Sequence, residues 1–560
     1  MAVAAMLAAT AIAASTAACV SSSTTPKSTS SGSSSSAVLT SSSSAVLTME
    51  SSPQNTITDD FNPFIPSSAV TLLGATSLVY EPLLQFDVAK PPVYYKWLAT
   101  GYKWSKSGKS ITFTIRSGVK WSNGKAFTPA DVVFTYLLLK RNPGINTTGL
   151  PITSASSSGS DVTVNFASAQ FSNLQNVTSV YIVPKAIWNS VGNPGRYLDS
   201  NPIGSGPYTL TSFTTGGFTM QANAQYWGGK PKVGKVAVPV YASNNTVLSA
   251  LEANQLDWAG NFLSGLQSTF VAPDPTHHKV WFAPVNTNAY FPNLKVWPTN
   301  QLAVRKAISL ALNRTAISTQ GEAGLEPVAT NASGLVLPNF KSLLAPSVKS
   351  MTLSPTGNPA AAKQVLKQAG FVIGSDGFFH SSSGQLLALT ITDPASYTDY
   401  AEDGTIAAAD LQKAGIDATF NGQSVSAWSA DIADGNFQLS QHWSVSSISA
   451  YQLYNNWLNS ALATSNAAGD FERLNNSTMD QDLAKLASDT TQSEQLKDLA
   501  PIEKYVATQL PVIPTVYGAA FDEYNTSHFT GWPSASNPYE SGTPNALTNE
   551  VIVLRLRPVR

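Results

Sequence analysis

Mixed α/β lobes are the fold class this sequence predicts, on three observations. Strand-type apolar or alternating runs recur along the chain, and capped helix signals with glycine stops fall between them. The length of 560 residues also exceeds what one core usually covers, so two or three lobes are expected.

Residues 111–136 (ITFTIRSGVKWSNGKAFTPADVVFTY) are the best-specified stretch. An alternating strand meets a Ser-Asn-Gly turn and then a helix start. There Thr128 can cap, Pro129 suits the first turn and Asp131 holds the capping-box position. Further helices are predicted at 300–317, with Val304, Ile308, Ala311 and Leu312 on one face, and from Asn358-Pro359 to a stop at Gly370. Two more are predicted at 406–414, stopped by Gly415, and at 480–506 with a break near Pro501. Strands are predicted at 162–166, 236–240, 386–392, 512–517 and 551–556.

Composition narrows the function classes. With 33 basic against 34 acidic side chains, a net charge of −1 gives no electrostatic reason for nucleic acid or a membrane surface as ligand. Charged residues are only 12%, so the polar surface must be Ser, Thr, Asn and Gln, which suits a secreted protein handling neutral ligands. Cys19 has no second cysteine to pair with. The apolar residues 1–18 before it end in small side chains, as a lipoprotein signal does, with cleavage before Cys19 and lipid on its sulfur. Thr16 stands where a lipobox usually has Leu, and no basic residue precedes Lys27, so the true start is expected upstream of Met1. An ordinary secretory signal cut after Ala17 or Ala18 is the alternative. Residues 19–48 contain SSSSAVLT twice in tandem and read as a flexible tether, with the folded body starting near Met49. No later run of about 18 apolar residues could span a bilayer.

The 111–136 stretch closely resembles the signature of the family 5 extracytoplasmic solute-binding proteins, the receptors for oligopeptides and related solutes that feed ABC importers. Further blocks resemble the family in order: SLVYEPLLQFD (77–87), NPIGSGPYTL (201–210), NAQYWGGKPKVGKVAV (223–238), ALEANQLDWAG (250–260), VRKAISLALNR (304–314), AKQVLKQAGF (362–371) and LPVIPTVYG (510–518). The resemblance implies a two-lobed, periplasmic-binding-protein-like (type II) fold with a hinge-bending cleft. It implies lobe I from 49–83, 198–297 and 527–560, a small inserted lobe at 84–197, and a lobe at 298–526 closing over ligand. The chain would then cross between the large lobes near residues 298 and 526.

Catalytic signals are weak. Gly108-Lys109-Ser110 imitates the end of a P-loop, but Lys103 stands where the motif needs glycine. Gly204-Ser205-Gly206 lacks the nucleophile-elbow spacing. The Asp59-Asp60 pair reads as solvated, and Asp274 with His277-His278 reads as an exposed loop rather than a metal site. No enzyme activity and no cofactor are expected. A carbohydrate-active hydrolase stays open because paired carboxylates can meet in space from distant positions.

In peptide-binding relatives an acid following a Trp receives the ligand's ammonium group. The matching segment, QHWSVSSISAYQLYNNWL (441–458), places Ser446 there, and no carboxylate occurs between Asp434 and Asp470. A hydroxyl cannot neutralise an ammonium ion, so an uncharged guest is favoured. The candidate contacts are Trp258, Asn261, Phe262, Tyr290, Trp443, Ser444, Ser446, Tyr451 and Tyr517, which pair rings with amides and hydroxyls in the way sugars require. Rings at helical spacing in 451–457 are more often core, whereas Trp258 and Trp443 stand at strand ends. These stretches, with GDFERLNN (469–476) and GWPSASNPY (531–539), resemble the subgroup that includes cello-oligosaccharide binders. The expected function is a monomeric, lipid-tethered receptor that passes a short oligosaccharide to a separate permease and ATPase. An oligopeptide receptor, a secreted hydrolase and a surface protein that binds a partner's domain are the alternatives.

Overall fold

The computed structural model describes residues 45–65, 68–337, 339–446, 448–463 and 469–559, and the signal segment, Cys19 and most of the tether lie outside them. A seven-stranded mixed sheet runs in spatial order through His278–Val280, Glu523–Asn525, Trp258–Ala259, Val46–Glu50, Lys235–Pro239, Gly217–Ala222 and Tyr208–Thr214. Val46–Glu50 is its centre, parallel to Lys235–Pro239 on one side and to Trp258–Ala259 on the other. This strand starts inside the second SSSSAVLT copy, three residues before Met49. Leu47 is fully buried in the sheet's core, so that half of the repeat is structural rather than tether.

The second large sheet has five strands, in the order Asp417–Gln423, Ala388–Pro394, Leu439–Trp443, Asn288–Pro292 and Ile513–Val516. Ala388–Pro394 is parallel to both of its neighbours. Both faces are covered, as a near-continuous apolar strand requires. Ala289 and Phe291 point into a core shared with the helices Ala450–Leu458, Ser477–Ser488 and Gln492–Gln509. Tyr290 points the other way, into the helices Leu302–Ala311, Pro359–Gln368 and Thr398–Lys413.

A smaller antiparallel sheet, Ala99–Trp104, Ser110–Ile115, Asp161–Phe166 and Ile152–Ser158, carries the helix Pro129–Arg141. The expected capping box is present, with the Thr128 N–H donating to Asp131 Oδ2 at 2.9 Å. The other oxygen, Asp131 Oδ1, accepts from the Lys185 N–H at 2.9 Å and so ties the helix start to the next segment.

Several expectations are corrected. Residues 551–556 are not a strand but part of the helix Asn549–Arg555, because a short apolar run carries no period that separates the two. The break expected near Pro501 falls instead at 489–491, where Thr491 caps the helix Gln492–Gln509, and Pro501 lies inside that helix. The helix at 300–317 stops at Ala311 and resumes as short turns through Gly321. Asn288–Pro292 already belongs to the five-stranded sheet and Glu523–Asn525 to the seven-stranded one. The chain therefore crosses between them at 281–287 rather than near 298, and at 517–522, just before the expected 526. The crossings pair as a two-stranded ribbon, Ala283 beside Ala520. Among the described residues, no helix is long and apolar enough to cross a membrane.

Candidate functional site

Loops leaving the carboxyl ends of parallel strands are where open α/β sheets place ligands. Here both large sheets direct such loops at one cavity of about 1160 Å³. Residues 51–54 follow Val46–Glu50, residues 242–245 follow Lys235–Pro239, and residues 260–264 follow Trp258–Ala259. From the other sheet come residues 396–400 after Ala388–Pro394, and Trp443 with Ser446 at the end of Leu439–Trp443. The two crossing segments close the back with Val285, Asn286 and residues 519–521.

Four of the nine candidate contacts line this space: Asn261, Phe262, Trp443 and Ser446. Asn261 is tied to its own wall: its Nδ2 donates to Glu50 Oε2 at 2.5 Å and its Oδ1 accepts from the Ser52 N–H at 3.0 Å. Phe262 meets Phe521 edge to face at 6.1 Å. Trp443 is 40% exposed, a large fraction for an indole, and stacks on His442 at 4.2 Å. Burial pushes the His442 pKa down to about 4, so this imidazole is neutral at ordinary pH.

The other five do not line the cavity. Trp258 is fully buried, with Nε1 donating to Asp522 Oδ1 at 2.9 Å and to the Gly542 carbonyl at 2.7 Å. Tyr290 is fully buried between sheet and helices. Ser444 Oγ accepts from the Thr287 N–H at 3.0 Å, and Tyr517 Oη accepts from the Thr330 N–H at 3.1 Å. Tyr451, half-buried, lies against the core and donates to Asn455 Oδ1 at 3.3 Å.

Sequence reasoning missed the corner formed by Tyr397, Asp399 and Tyr400. The ring of Tyr400 lies 6.0 Å from that of Tyr397 and 6.2 Å from that of Trp443. A strand signal at 386–392 and a helix signal at 406–414 bracketed this strand-to-helix junction, and that pattern was the available clue. Two carboxyl groups, Glu326 and Asp399, also line the cavity, from elements outside the 441–458 segment. Glu326 is engaged: Oε2 accepts from Asn288 Nδ2 at 2.6 Å and Oε1 from the Ala519 N–H at 2.7 Å. Asp399 accepts backbone N–H groups at its helix start, and burial pushes its pKa up to about 6. No Lys, Arg or His lines the cavity among the described residues.

The reading of His277-His278 as an exposed pair is half right. His277 Nδ1 lies 2.9 Å from Asp274 Oδ2 near the surface, whereas His278 is buried and stacks on Phe270 at 4.2 Å. No group of three or more His, Cys, Asp or Glu side chains that could hold a metal ion occurs among the described residues.

The model of the bacterial extracellular solute-binding proteins, family 5, matches residues 93–465. The nickel-binding periplasmic protein of Escherichia coli is 27% identical over 66% of this chain and 70% of its own length. Among solved structures, the mannohexaose-bound periplasmic oligopeptide-binding protein of Thermotoga maritima superposes with a TM-score of 0.81 at 24% identity, over 92% of this chain and 99% of that one. The oligopeptide-binding protein AppA of Bacillus subtilis, in complex with a nonapeptide, gives a TM-score of 0.73 at 19% identity over 92% and 99%. The two-lobed α/β architecture is thus shared across the described body, and the family model spans most of the chain. The chain belongs to the bacterial extracellular solute-binding proteins of family 5, the solute-capturing components of ABC importers.

Proposed function

We propose that this protein captures a short neutral oligosaccharide between its two large sheets and delivers it to an ABC permease driven by a separate ATPase. One observation carries the reading: amides, hydroxyls and rings line the cavity beside the two carboxyl groups of Glu326 and Asp399, with no basic side chain among the described residues. A free peptide brings a carboxylate that such walls cannot neutralise, whereas sugar hydroxyls need only amide and hydroxyl partners and sugar C–H faces need rings. Asn261, Phe262, Trp443 and Ser446 are assigned as contacts, joined by Tyr397, Tyr400 and Asn288. The Thermotoga maritima protein bound to mannohexaose supports a sugar as guest. Lobe closure about the two crossing segments would expel water and tighten these contacts. No bond is made or broken in this role, in keeping with relatives that are binding proteins. The receptor acts as a monomer outside the cell, tethered by lipid on Cys19.

An oligopeptide is the second reading, favoured by Asp399, whose carboxylate could face an ammonium group. Calorimetric titration with cellopentaose and with a pentapeptide separates the two. Heat with the sugar alone is expected, and binding of the peptide alone would overturn the proposal.

A further inference from the structure

Behind each wall of the cavity, two buried carboxyl groups face each other with no cation between them. On the side of the five-stranded sheet the partners are Glu322 and Asp403, both fully buried and crowding each other. Asp403 Oδ2 accepts from Gln441 Nε2 at 2.8 Å, but Asp403 Oδ1 and both oxygens of Glu322 find no donor. On the side of the seven-stranded sheet the partners are Glu81 and Glu550, again fully buried and in contact. Glu550 accepts from Gln85 Nε2 at 2.9 Å and from Tyr226 Oη at 3.1 Å, and Glu81 accepts from Trp227 Nε1 at 2.8 Å. Ionised carboxylates only accept, so neither contact is a bond unless a proton lies in it.

The surroundings supply no positive charge to either pair. Glu322 and Asp403 are faced by Glu326, Asp399 and Glu402, with Asp393 and Tyr290 close by. The hydroxyl of Tyr290 is buried in the same cluster without a partner. Lys413, on the helix of Asp403, ends on Asp410 at 3.0 Å, and the nearby Arg314 directs its guanidinium at the carbonyls of Pro514, Ser309 and Ser354. Around Glu81 and Glu550 the neighbours are neutral: Ser205, Trp97, Tyr181 and Tyr208. Arg116 lies over the Trp227 ring and Arg555 over Tyr539, and neither forms an ion pair with the carboxyls.

We propose that these two carboxyl pairs are proton-loaded clasps that shape the cavity walls, so that solute capture is coupled to proton binding and is strongest in acidic medium. The coupling route is short. Gln85 lines the cavity and is bonded to Glu550, while Glu326 and Asp399 line it and crowd Glu322 and Asp403. Loss of either proton sets two like charges together in a dry interior and drives those walls apart. Burial pushes the pKa of Asp403 up to about 8 and that of Glu81 to about 7, with Glu322 and Glu550 held well above the usual range. The unfolded chain gives up these protons near pH 4, so the folded state binds more of them above that value. The clasps are fully stabilising below about pH 4 and fail as pH rises through 7 to 8.

The inference rests on the reading of the cavity as the site of a neutral guest, and two readouts on the full chain keep the two apart. The unfolding temperature without ligand is expected to fall by about 5 °C between pH 5 and pH 8. Cellopentaose affinity is expected to weaken about tenfold over the same range. With Glu322→Gln and Glu81→Gln combined, amides replace the protonated acids, so the affinity difference is expected to shrink to less than about a third. The fall in unfolding temperature is expected to become clearly smaller, the remainder belonging to other buried carboxyls such as Glu503. An unfolding temperature independent of pH, an affinity that holds or rises with pH, or variants that keep the wild-type slopes would each overturn the clasps. If the combined variant does not fold, each single substitution read against wild type decides. Cellopentaose binding at no pH would overturn the neutral-sugar reading, and the ligand-free profile would still decide the proton loading.

Discussion

The side-chain amide of Asn261 donates to Glu50 at 2.5 Å while its carbonyl oxygen accepts from the Ser52 N–H at 3.0 Å. The flip of this amide is therefore fixed by two partners of opposite kind, and the group is held in one orientation at the cavity wall. Burial pushes the Glu50 pKa up to about 8, so below that pH the carboxyl supplies a neutral acceptor behind the amide.

Removing that amide should be felt in binding. Asn261→Ala is expected to weaken cellopentaose binding by about 1–2 kcal/mol, roughly tenfold, since a buried polar partner is left unmatched. Calorimetry checks it, and an unchanged affinity would take Asn261 out of the site.

The two strand-end tryptophans should part company. Trp443 is 40% exposed in the cavity, so Trp443→Ala is expected to weaken sugar binding by about 1–2 kcal/mol with little loss of stability. Trp258 is fully buried and bonded to Asp522 and Gly542, so Trp258→Ala is expected to cost about 3–5 kcal/mol of stability. Denaturant unfolding and calorimetry on both variants test the separation.

A third expectation concerns pH far from the cavity. Glu503 is fully buried and accepts from the Ala345 N–H at 2.7 Å, and burial pushes its pKa up to about 7. The folded state thus holds a proton that the unfolded chain releases near pH 4.3. Its stabilisation is full below that value and is lost as pH rises through 7. Glu503→Gln is expected to flatten the decline in stability between pH 5 and pH 8 by roughly 2–3 kcal/mol. Urea titrations at the two pH values measure the difference.

Gly204→Ala is expected to destabilise the body by more than about 3 kcal/mol or to prevent folding. A Cβ there would lie 1.8 Å from the Val79 carbonyl oxygen, against which Gly206 donates its N–H at 2.9 Å. Circular dichroism of the variant tests it. The Gly-Ser-Gly segment is a place of close backbone approach, which explains its composition without chemistry.

Features encoded over a few neighbouring residues were readable from the sequence. The strand, turn and helix around Thr128 and Asp131 depend on contacts within four positions, and the capping box followed from residue types alone. Residues 551–556 were misread because Val551, Ile552 and Val553 are buried on every side, which erases the helical period. In the site, Trp258 and Trp443 look alike in sequence. Asp522 and Trp532, more than 260 residues away, cover the first and leave the second open. No carboxylate occurs between Asp434 and Asp470, yet Glu326 and Asp399 enter the cavity from other elements that a local alignment does not touch.

The ribbon pairing Ala283 with Ala520 has a mechanical meaning. Its stiffness lies in main-chain bonds: Trp281 N–H to the Asp522 carbonyl at 2.9 Å, Val285 N–H to Gly518 at 3.0 Å, and Gly518 N–H to Asn286 at 3.0 Å. These rungs lie across the two strands and hold them side by side, while pull along the crossing is carried by the covalent backbone of both. Such a joint, soft in torsion and firm in tension, suits the proposed closing of the two walls over a guest.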